Sequence, residues 1–549
     1  MNKVKSSLSQ FKALTAILVV CLVVGISAAI ATPRSEAYAD TPTVITTPEQ
    51  LDGIRNNLSG NYILGADIDL SQYNFNNKTW TARNGWDGIG SSEAKGFRGT
   101  LDGDGFTIRG LWSNGRVSNQ GLFGWIVGGT VKNLNIELAP NSGILGVGER
   151  RAALAGDVYS GATIENITIT GNNSRIEGSA NYIAGVAGVV KKSSVSDVKI
   201  DGIYIKGGSY VGGVAGVIYD KSVVSTATVL NMNLDAAASY VGGAIGCIYG
   251  GSQMTDSTVE DITINAKTSY AGGFVGAIHE KGSSINNGLV KNANVTAKVS
   301  YVGGFAGVIY HYADVTRACV VNGNATAVDG RSAGGFTGEL YDFGTAENCF
   351  ANDSSAQAKF YVGGWSGAIY GKAKVNNAAA AGVGEAKTTY GYVSGGFAGY
   401  TAYCDISNAF SQVDVSTMMT GGTGGFIGFA EIGTSVYNTY TSSKVTNYGK
   451  YSAFYDGAYS GYTYATFSGT NFYDKDINPS LQGYGTGGIK SGSPAAYPQG
   501  KSTAEMFQQA TFVGWDFNSM WVIADGISYP NLKTLSISCA TGSGAFSIG

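Results

Sequence analysis

Hydrophobic and polar residues alternate in short stretches along most of the chain, as in half-buried β-strands. The stretch 315–320 (Val-Thr-Arg-Ala-Cys-Val) and the stretch 294–299 (Asn-Val-Thr-Ala-Lys-Val) are examples. A third stretch, such as 217–219 (Val-Ile-Tyr), follows a glycine-rich motif, and polar corners separate the three. The pattern predicts strands of about five residues rather than helices.

The glycine-rich motif recurs about every 30 residues. The copy at 210–216 (Tyr-Val-Gly-Gly-Val-Ala-Gly) returns at 240–246, 270–276 and 301–307, with weaker copies on both sides. The last glycines of the copies are Gly124, Gly156, Gly188, Gly216, Gly246, Gly276, Gly307, Gly338, Gly367, Gly399 and Gly428. A nearly constant spacing of this kind indicates a repeated structural unit.

Three short strands and three corners fill one period, and such units cannot bury a hydrophobic face unless they stack. We therefore predict an all-β protein, a parallel β-solenoid of about 12 coils spaced ~4.8 Å apart. No proline lies between positions 141 and 478, in agreement with strands that are paired on both sides. A propeller would need about 40 residues per unit and fits less well.

Both ends carry helix-capping sequences. Residues 47–50 (Thr-Pro-Glu-Gln) and 502–505 (Ser-Thr-Ala-Glu) each predict a short helix. We predict an N-terminal capping segment over 40–112, the repeat solenoid over 113–470, and a C-terminal capping segment over 471–535. Residues 536–549 are predicted to be a polar tail.

The first 39 residues have the pattern of a signal peptide. Lys3, Lys5 and Lys12 precede an apolar stretch over 13–31, and Ala37-Tyr38-Ala39 has the small residues of a cleavage site. An uncleaved membrane anchor is the alternative, because the apolar stretch is long enough to span a bilayer. The protein is therefore expected to be extracellular, with membrane contact only through this segment if it is uncleaved.

Composition and charge narrow the function. The chain has 82 glycines, 33 tyrosines, only two histidines and a formal net charge of −3. No basic patch for nucleic acid is apparent, and two histidines leave little material for metal or acid–base chemistry. We expect no catalytic residue, no cofactor and no nucleic-acid partner, whereas metal binding stays undecided.

The two histidines do not form a zinc-protease motif. His279-Glu280 lacks the second histidine of HExxH, since Ser283 stands in its place. His279 instead occupies a repeated aromatic position, which predicts an aromatic ladder, and His311 lies beside that ladder. The other members of the ladder are Tyr219, Tyr249, Tyr310, Tyr341 and Tyr370.

A second set of repeated tyrosines begins the glycine motifs. It could pack between neighbouring coils or could form a sugar-binding face by ring stacking. These residues are Tyr210, Tyr240, Tyr270, Tyr301 and Tyr361.

Four carboxylates near the N-terminus form the richest acidic cluster. They could serve tight turns, bind Ca²⁺ or act as an acid–base pair. They are Asp67, Asp69, Asp102 and Asp104.

Five cysteines follow the signal sequence, an odd number for an exported protein. Cys319 and Cys349 are 30 residues apart, so we predict that they are adjacent in neighbouring coils, at matching positions if one corner residue is skipped. Whether they form a disulfide stays open.

The sequence resembles bacterial surface proteins named for the GLUG motif. Residues 121–124 (Gly-Leu-Phe-Gly) with 128–134 match the motif best, and 61–70, 97–108 and 503–530 resemble its flanking segments. The resemblance covers about residues 44–533, although most internal copies have Gly-Gly-x-x-Gly. It implies a module of large adhesins, or of the non-catalytic front part of IgA-cleaving metallopeptidases.

The expected function is therefore a secreted or cell-surface bacterial protein, a non-catalytic adhesin or stalk module. Its repetitive solenoid face would bind an extracellular protein or glycan. Two alternatives stay open: a carbohydrate-active β-helix enzyme (lyase or hydrolase), and the non-catalytic N-terminal part of a longer surface protease.

Overall fold

A computed structural model describes residues 41–72, 85–267, 270–390, 392–418, 421–448, 456–485, 491–492, 497–534 and 539. The signal peptide predicted over 1–39 lies outside the described residues, as does the tail over 536–549 except Cys539. Contacts divide the chain into residues 1–43 and 44–549, and the fold below is that of the second unit. No helix in the described ranges is long and apolar enough to cross a membrane.

The described coils form a parallel β-solenoid of about 13 turns, which confirms the predicted fold class. In a typical coil a short strand (Val211–Gly212) leads into a middle strand (Ala215–Tyr219), and a long strand (Val223–Ala236) completes the turn. Strands of successive coils pair in parallel, for example Val211 with Val241. The coils therefore build three sheets, which we call the short, middle and long sheets.

The short sheet has ten strands: Ile183–Ala184, Val211–Gly212, Val241–Gly242, Ala271–Gly272, Tyr301–Gly303, Ser332–Gly334, Tyr361–Gly363, Val393–Gly395, Gly422–Gly424 and Asp456–Gly457. The middle sheet has twelve: Phe123–Val127, Ala155–Tyr159, Ala187–Lys191, Ala215–Tyr219, Ile245–Ile248, Val275–His279, Ala306–Tyr310, Thr337–Tyr341, Ser366–Tyr370, Ala398–Ala402, Ile427–Ala430 and Ser460–Thr463. These counts cover the described residues.

The long sheet joins 26 described strands: Thr43–Ile45, Asn61–Leu64, Ile68–Asp69, Thr100–Asp102, Thr107–Leu111, Thr130–Leu138, Gly143–Gly146, Thr163–Thr170, Arg175–Gly178, Ser194–Asp201, Tyr204–Gly207, Val223–Ala236, Gln253–Ala266, Ser284–Ala297, Asp314–Ala327, Thr345–Asn352, Ser355–Ala358, Lys374–Ala381, Glu385–Thr388, Cys404–Ser411, Asp414–Thr417, Thr434–Thr441, Val445–Asn447, Thr466–Asp474, Ser491–Gly492 and Gln499–Lys501. Trp521–Val522 and Asn531–Leu532 form a separate antiparallel pair.

The coil differs from the prediction of three equal strands. The start of the glycine motif is itself a short strand, and the second and third predicted strands run together into one strand of 14 residues in four coils. This long strand bends at residues with positive φ, such as Asn287 (φ 60°) and Asn292 (φ 51°). Asparagine tolerates this left-handed conformation better than most residues, and the Asn287 amide donates to Asp256 of the preceding coil at 2.8 Å.

The interior is one continuous apolar core that extends from Ile45 to Phe467. Inside it, aromatic rings that follow the glycine pairs stack from coil to coil at centroid distances of 4.7 to 5.2 Å. The stacked rings are Phe274, Phe305, Phe336, Trp365, Phe397 and Phe426. The glycines permit close packing: a β-carbon on Gly243 would lie 2.1 Å from the carbonyl oxygen of Gly273 in the next coil.

Both predicted capping helices are present. Pro48–Gly53 begins after Thr47, whose side chain and Gln50 form a capping box. Thr503–Met506 begins after Ser502, whose side chain forms a capping box with Glu505. Short 3₁₀ turns lie at Ile54–Asn56, Leu70–Gln72 and Gln509–Thr511.

The C-terminal strap, which we define as residues 502–534 with Cys539, lies against the outer face of the long sheet. It contributes Met506, Phe512, Trp515, Trp521 and Leu532 to an apolar cluster on that face. One column of paired positions in the sheet contributes a residue from each of seven successive coils, and Ala381 adds a further residue beside it. The column is Leu289, Cys319, Phe350, Ala379, Phe410, Tyr440 and Phe472. The positions that pair with this column in the five coils before Leu289 are polar: Asn135, Thr168, Lys199, Thr228 and Thr258.

A disulfide between Cys319 and Cys539, with a Cα–Cα distance of 5.6 Å, joins the strap to the sheet. Cys349 is a free, buried thiol. Cys319 and Cys349 lie on neighbouring coils, as predicted, but their matching is wrong by one residue, because Cys319 pairs with Phe350 and Ala318 with Cys349. A shift of one residue moves a side chain to the other face of a sheet, so Cys349 points into the core and Cys319 points outward.

Candidate binding surface

The outer face of the middle sheet carries an apolar floor. One outward residue from each of five successive coils forms it, and each is at most 2% exposed. These residues are Val189, Val217, Cys247, Ala277 and Val308. An outward-facing residue this well buried must be covered, and two rows of tyrosines cover it.

The first ladder precedes the short strands, and its rings stack at 4.8 to 5.3 Å. It consists of Tyr182, Tyr210, Tyr240, Tyr270 and Tyr301. The second ladder ends the middle strands, and its rings stack at 4.9 to 5.2 Å. It consists of Tyr219, Tyr249, His279, Tyr310, Tyr341 and Tyr370. We call the two ladders and the floor the tyrosine face.

The structure confirms that His279 belongs to an aromatic ladder. Its ring lies between Tyr249 at 5.2 Å and Tyr310 at 4.9 Å, and burial lowers the pKa of its imidazole below the ordinary value. His311 lies beside Tyr310, is exposed, and pairs with Asp342 at 2.7 Å.

One predicted rung of the first ladder is displaced. Tyr361 lies in the column, but the register places Ser332 between Tyr301 and Tyr361. The ring of Tyr361 pairs with Tyr400 at 5.2 Å instead. The first ladder of stacked rings therefore ends at Tyr301.

Stacking decides which part of each tyrosine meets solvent. Rings of the first ladder lie within 15 to 27° of parallel, so each ring face covers the next. The ring edges and hydroxyl groups remain for a ligand. Sugar binding by stacking on ring faces, one of the possibilities for these residues, is therefore blocked within the ladder.

Two carboxylates close the apolar floor at its ends. Asp157 pairs with Val189 in the first coil of the floor, and Glu339 pairs with Val308 in the last. Both are 0% exposed. Six coil steps separate them, which corresponds to about 29 Å.

Arg150 lies above Asp157 and takes the place of a ladder ring. Its Nη1 is 3.3 Å from Asp157 Oδ2, and its guanidinium lies over Trp125 at 5.9 Å and Tyr182 at 5.7 Å. Asn119 also donates to Asp157 Oδ2. Among the described residues, Asp157 Oδ1 and Arg150 Nε have no hydrogen-bond partner. Burial raises the pKa of Asp157 to about 7 despite the opposing charge of Arg150.

Arg331 and Glu339 form a similar ion pair at the other end, where Ser332 rather than the arginine occupies the ladder position. Glu339 accepts hydrogen bonds from Ser332 Oγ and Tyr370 OH, each at 2.8 Å. Arg331 Nε lies 3.5 Å from Glu339 Oε1, and its guanidinium lies over Tyr361 at 5.4 Å. Burial raises the pKa of Glu339, and the charge of Arg331 opposes this rise.

These carboxylates were missed in the sequence, yet a signal was present. The residue after the last glycine of each motif is apolar in five successive copies, from Val189 to Val308. In the flanking copies it is Asp157 and Glu339, each preceded by an arginine seven or eight residues earlier. Aligning the copies would have revealed both.

The four N-terminal carboxylates are not gathered into one site. Asp67 pairs with Arg109 at 2.8 Å, and Asp69 accepts a hydrogen bond from the Ser71 amide at 2.9 Å. Asp102 caps its own turn by accepting from the Asp104 amide at 3.0 Å. Among the described residues, no group of three or more His, Cys, Asp or Glu could hold a metal ion.

Comparison with known proteins assigns no family. No protein-family model matches the sequence. An alignment of 153 positions, which covers 26% of this chain, is 32% identical to Halomucin of Haloquadratum walsbyi, of which the chain covers only 2%. A crystal structure from Bacteroides ovatus, named "putative immunoglobulin A1 protease", aligns over 90% of this chain and 93% of its own. Its 14% identity and TM-score of 0.20 carry no argument about fold or function. The GLUG resemblance stays a prediction.

Proposed function

We propose that this protein is an exported, non-catalytic binding module whose tyrosine face holds an extracellular glycan or protein. The observation that carries the proposal is the pair of tyrosine ladders, which repeats over successive coils above a fully buried floor. Tyrosine offers contact area, a polar hydroxyl and little conformational entropy to lose on binding. Stacking orders these rings before any ligand arrives.

The position of the buried carboxylates supports a non-catalytic role. Glycosidases place two carboxylates about 5 to 10 Å apart, on either side of the scissile bond. Asp157 and Glu339 are about 29 Å apart, and each is fully buried beneath an arginine. Within the described part of the chain, the hydrogen-bond partners of both are amide, hydroxyl and guanidinium groups rather than a second carboxylate.

An extracellular location agrees with the Cys319–Cys539 disulfide. Structural disulfides form and persist mainly in oxidising compartments. The disulfide is an observation independent of the signal sequence predicted over residues 1–39, and the disulfide and the signal sequence both support export.

The test is a binding screen of the purified chain against glycans and extracellular matrix proteins. Tyr240→Phe removes one ladder hydroxyl and keeps its ring, whereas Tyr240→Ala removes the ring. We expect saturable binding that both variants weaken, Tyr240→Ala by about ten-fold or more. Tyr448→Ala, at a 68% exposed tyrosine outside the ladders, is the matched control. Release of cleaved products, or binding that Tyr240→Ala leaves unchanged, would contradict the proposal.

A further inference from the structure

On the tyrosine face the negatively charged groups are buried and the positively charged groups are exposed. Its carboxylates, Asp157 and Glu339, are 0% exposed, whereas the side chains of Arg331 and Arg150 are 50% and 29% exposed. Lys191, at a position of the second ladder, adds an ammonium group over Tyr159 and Tyr219. A ligand therefore meets the positive partner of each ion pair first.

The tyrosines between the two arginines add to this preference. The edge of an aromatic ring is the positive end of its quadrupole, and the phenol hydroxyl can donate a hydrogen bond. Because the ring faces cover one another, the first ladder offers edges and hydroxyls. Both favour electronegative groups on a ligand.

Three further carboxylates of this side lie at the opposite corner. Asp220, Glu280 and Asp342 directly follow the second ladder, where they pair with Lys192, His279 and His311 respectively. Near the first ladder, Glu149 adjoins Arg150 and offsets part of its positive charge, while Asp329 is paired with Lys359 at 2.7 Å. An anion is therefore favoured along the first ladder, most strongly near Arg331.

The distance between Arg150 and Arg331 favours a polymer over a small anion as the ligand. Arg150 and Arg331 flank the five tyrosines of the first ladder, about 29 Å apart by coil spacing. A single carboxylate or sulfate can reach one arginine only. A linear chain with repeated acidic groups can contact both arginines and the hydroxyls between them.

We propose that the ligand of the tyrosine face is a linear anionic polysaccharide, which lies along the first ladder and is anchored by Arg150 and Arg331. This inference rests on the proposed binding function and specifies the ligand class. Carboxylate or sulfate groups would pair with the guanidinium groups, for which bidentate geometry is available. Sugar hydroxyls would accept hydrogen bonds from the tyrosines.

The test measures binding of the purified chain to immobilised polygalacturonate, dextran sulfate and neutral dextran, at low salt and in 0.5 M NaCl. Polygalacturonate and dextran sulfate separate carboxylate from sulfate recognition. We expect binding to at least one acidic polymer, weakened by salt, and none to dextran. Arg331→Gln should weaken it about ten-fold or more, as expected for loss of a charged hydrogen bond.

Arg175→Gln is a closely matched control. Arg175 is 47% exposed, pairs with Glu177 at 3.2 Å and lies over Tyr204 at 5.2 Å, but belongs to the long sheet. It should leave binding unchanged. Equal loss in both arginine variants, or equally strong binding to duplex DNA, would overturn the inference as non-specific charge attraction.

The outcomes separate the two proposals. Binding to dextran or to a matrix protein that Tyr240→Ala abolishes and Arg331→Gln does not would keep the tyrosine face and overturn the anionic ligand. Acidic-polymer binding that Arg331→Gln weakens but Tyr240→Ala does not would overturn the proposal that the polymer lies along the first ladder. Circular dichroism and thermal unfolding of each variant exclude loss of fold as the cause.

Discussion

Asp157 shows how one residue sets a pH dependence. It replaces an apolar residue of the floor, so its ionised form loses hydration that Arg150 and Asn119 only partly replace. Its pKa in the folded protein is about 7, against an ordinary value of 3.8. The folded protein therefore binds this proton more tightly than the unfolded chain.

This difference predicts that ionisation of Asp157 destabilises the fold as pH rises from about 4 to about 7. The slope is at most about 1.4 kcal/mol per pH unit for one proton. Asp157→Asn should remove this contribution, so its free energy of unfolding should fall less over that interval. Denaturant unfolding at several pH values measures the slope.

Glu339 should contribute a slope of the same sign, because burial also raises its pKa. A second variant, Asp157→Asn with Glu339→Gln, should therefore flatten the profile further. Asp220→Asn serves as the control, since Asp220 is a partly exposed surface residue. A profile that Asp157→Asn leaves unchanged would show that this carboxylate titrates normally.

The contact between neighbouring coils depends on glycine at particular positions. Gly243→Ala would place a methyl group 2.1 Å from the Gly273 carbonyl oxygen. We expect it to lower the free energy of unfolding by about 1 to 3 kcal/mol, as overpacking does. Gly53→Ala is the comparison, since nothing lies within 4 Å of its added carbon and its φ is −61°. It should be neutral or slightly stabilising, and equal effects of both variants would contradict the packing argument.

The strap is a separate element held by packing and by one disulfide. Tyr440 OH donates to the Pro530 carbonyl at 2.5 Å and Trp515 Nε1 donates to Thr470 Oγ1 at 2.8 Å. The Cys319–Cys539 bond closes a separation of 220 residues, for which the loop-entropy contribution is at most about 5 kcal/mol. These contacts connect the strap to the outer face of the long sheet rather than to the end coil alone.

Cys539→Ser is therefore expected to loosen the strap and leave the coils intact. Hydrogen exchange should become faster at strap amides such as Trp521 and stay slow in the central strand Gln253–Ala266. Cys247→Ala, which removes a free buried thiol from the floor, should not change exchange in the strap. Unchanged strap exchange in Cys539→Ser would mean that packing alone holds this element.

The sequence predicted these elements unevenly. The period of about 30 residues was enough for the solenoid, for the second ladder and for Tyr210 to Tyr301 of the first, because stacked coils repeat their side chains at one spacing. It failed at Cys319, where a step of 31 rather than 30 residues decides which face a side chain occupies. Prediction of where the strap docks requires the same register. The outward position under the strap changes from polar Thr258 to apolar Leu289, and this change is visible only when the coils are aligned correctly.

The whole solenoid is held by contacts between neighbouring coils. Parallel pairing links each coil to the one before and the one after, for example Val211 to Val241 and Val241 to Ala271. In such a structure stability is roughly the sum of coil terms and interface terms between neighbours. The number of coils is then adjustable, provided that the register of the remaining coils is preserved.

Deletion of one whole coil, residues 241–270, should therefore leave a folded protein. The deletion joins Tyr240 to Ala271, which keeps the order of ladder tyrosine, small residue and glycine pair. Deletion of half a coil, residues 241–255, would join Tyr240, just before a short strand, to Asp256 inside the long strand Gln253–Ala266. It removes the middle strand of that coil and should prevent folding of the surrounding coils. Far-UV circular dichroism and a cooperative unfolding transition distinguish the two results.

The whole-coil deletion also shortens the tyrosine face. Arg150 and Arg331 would come closer by about 4.8 Å, one coil spacing, with one ladder tyrosine fewer between them. A polymer that contacts the whole ladder should bind the shortened protein more weakly, while still depending on Arg331. If the 30-residue deletion unfolds the protein as completely as the 15-residue deletion, the coils do not act as interchangeable units, and the additive description of the solenoid is wrong.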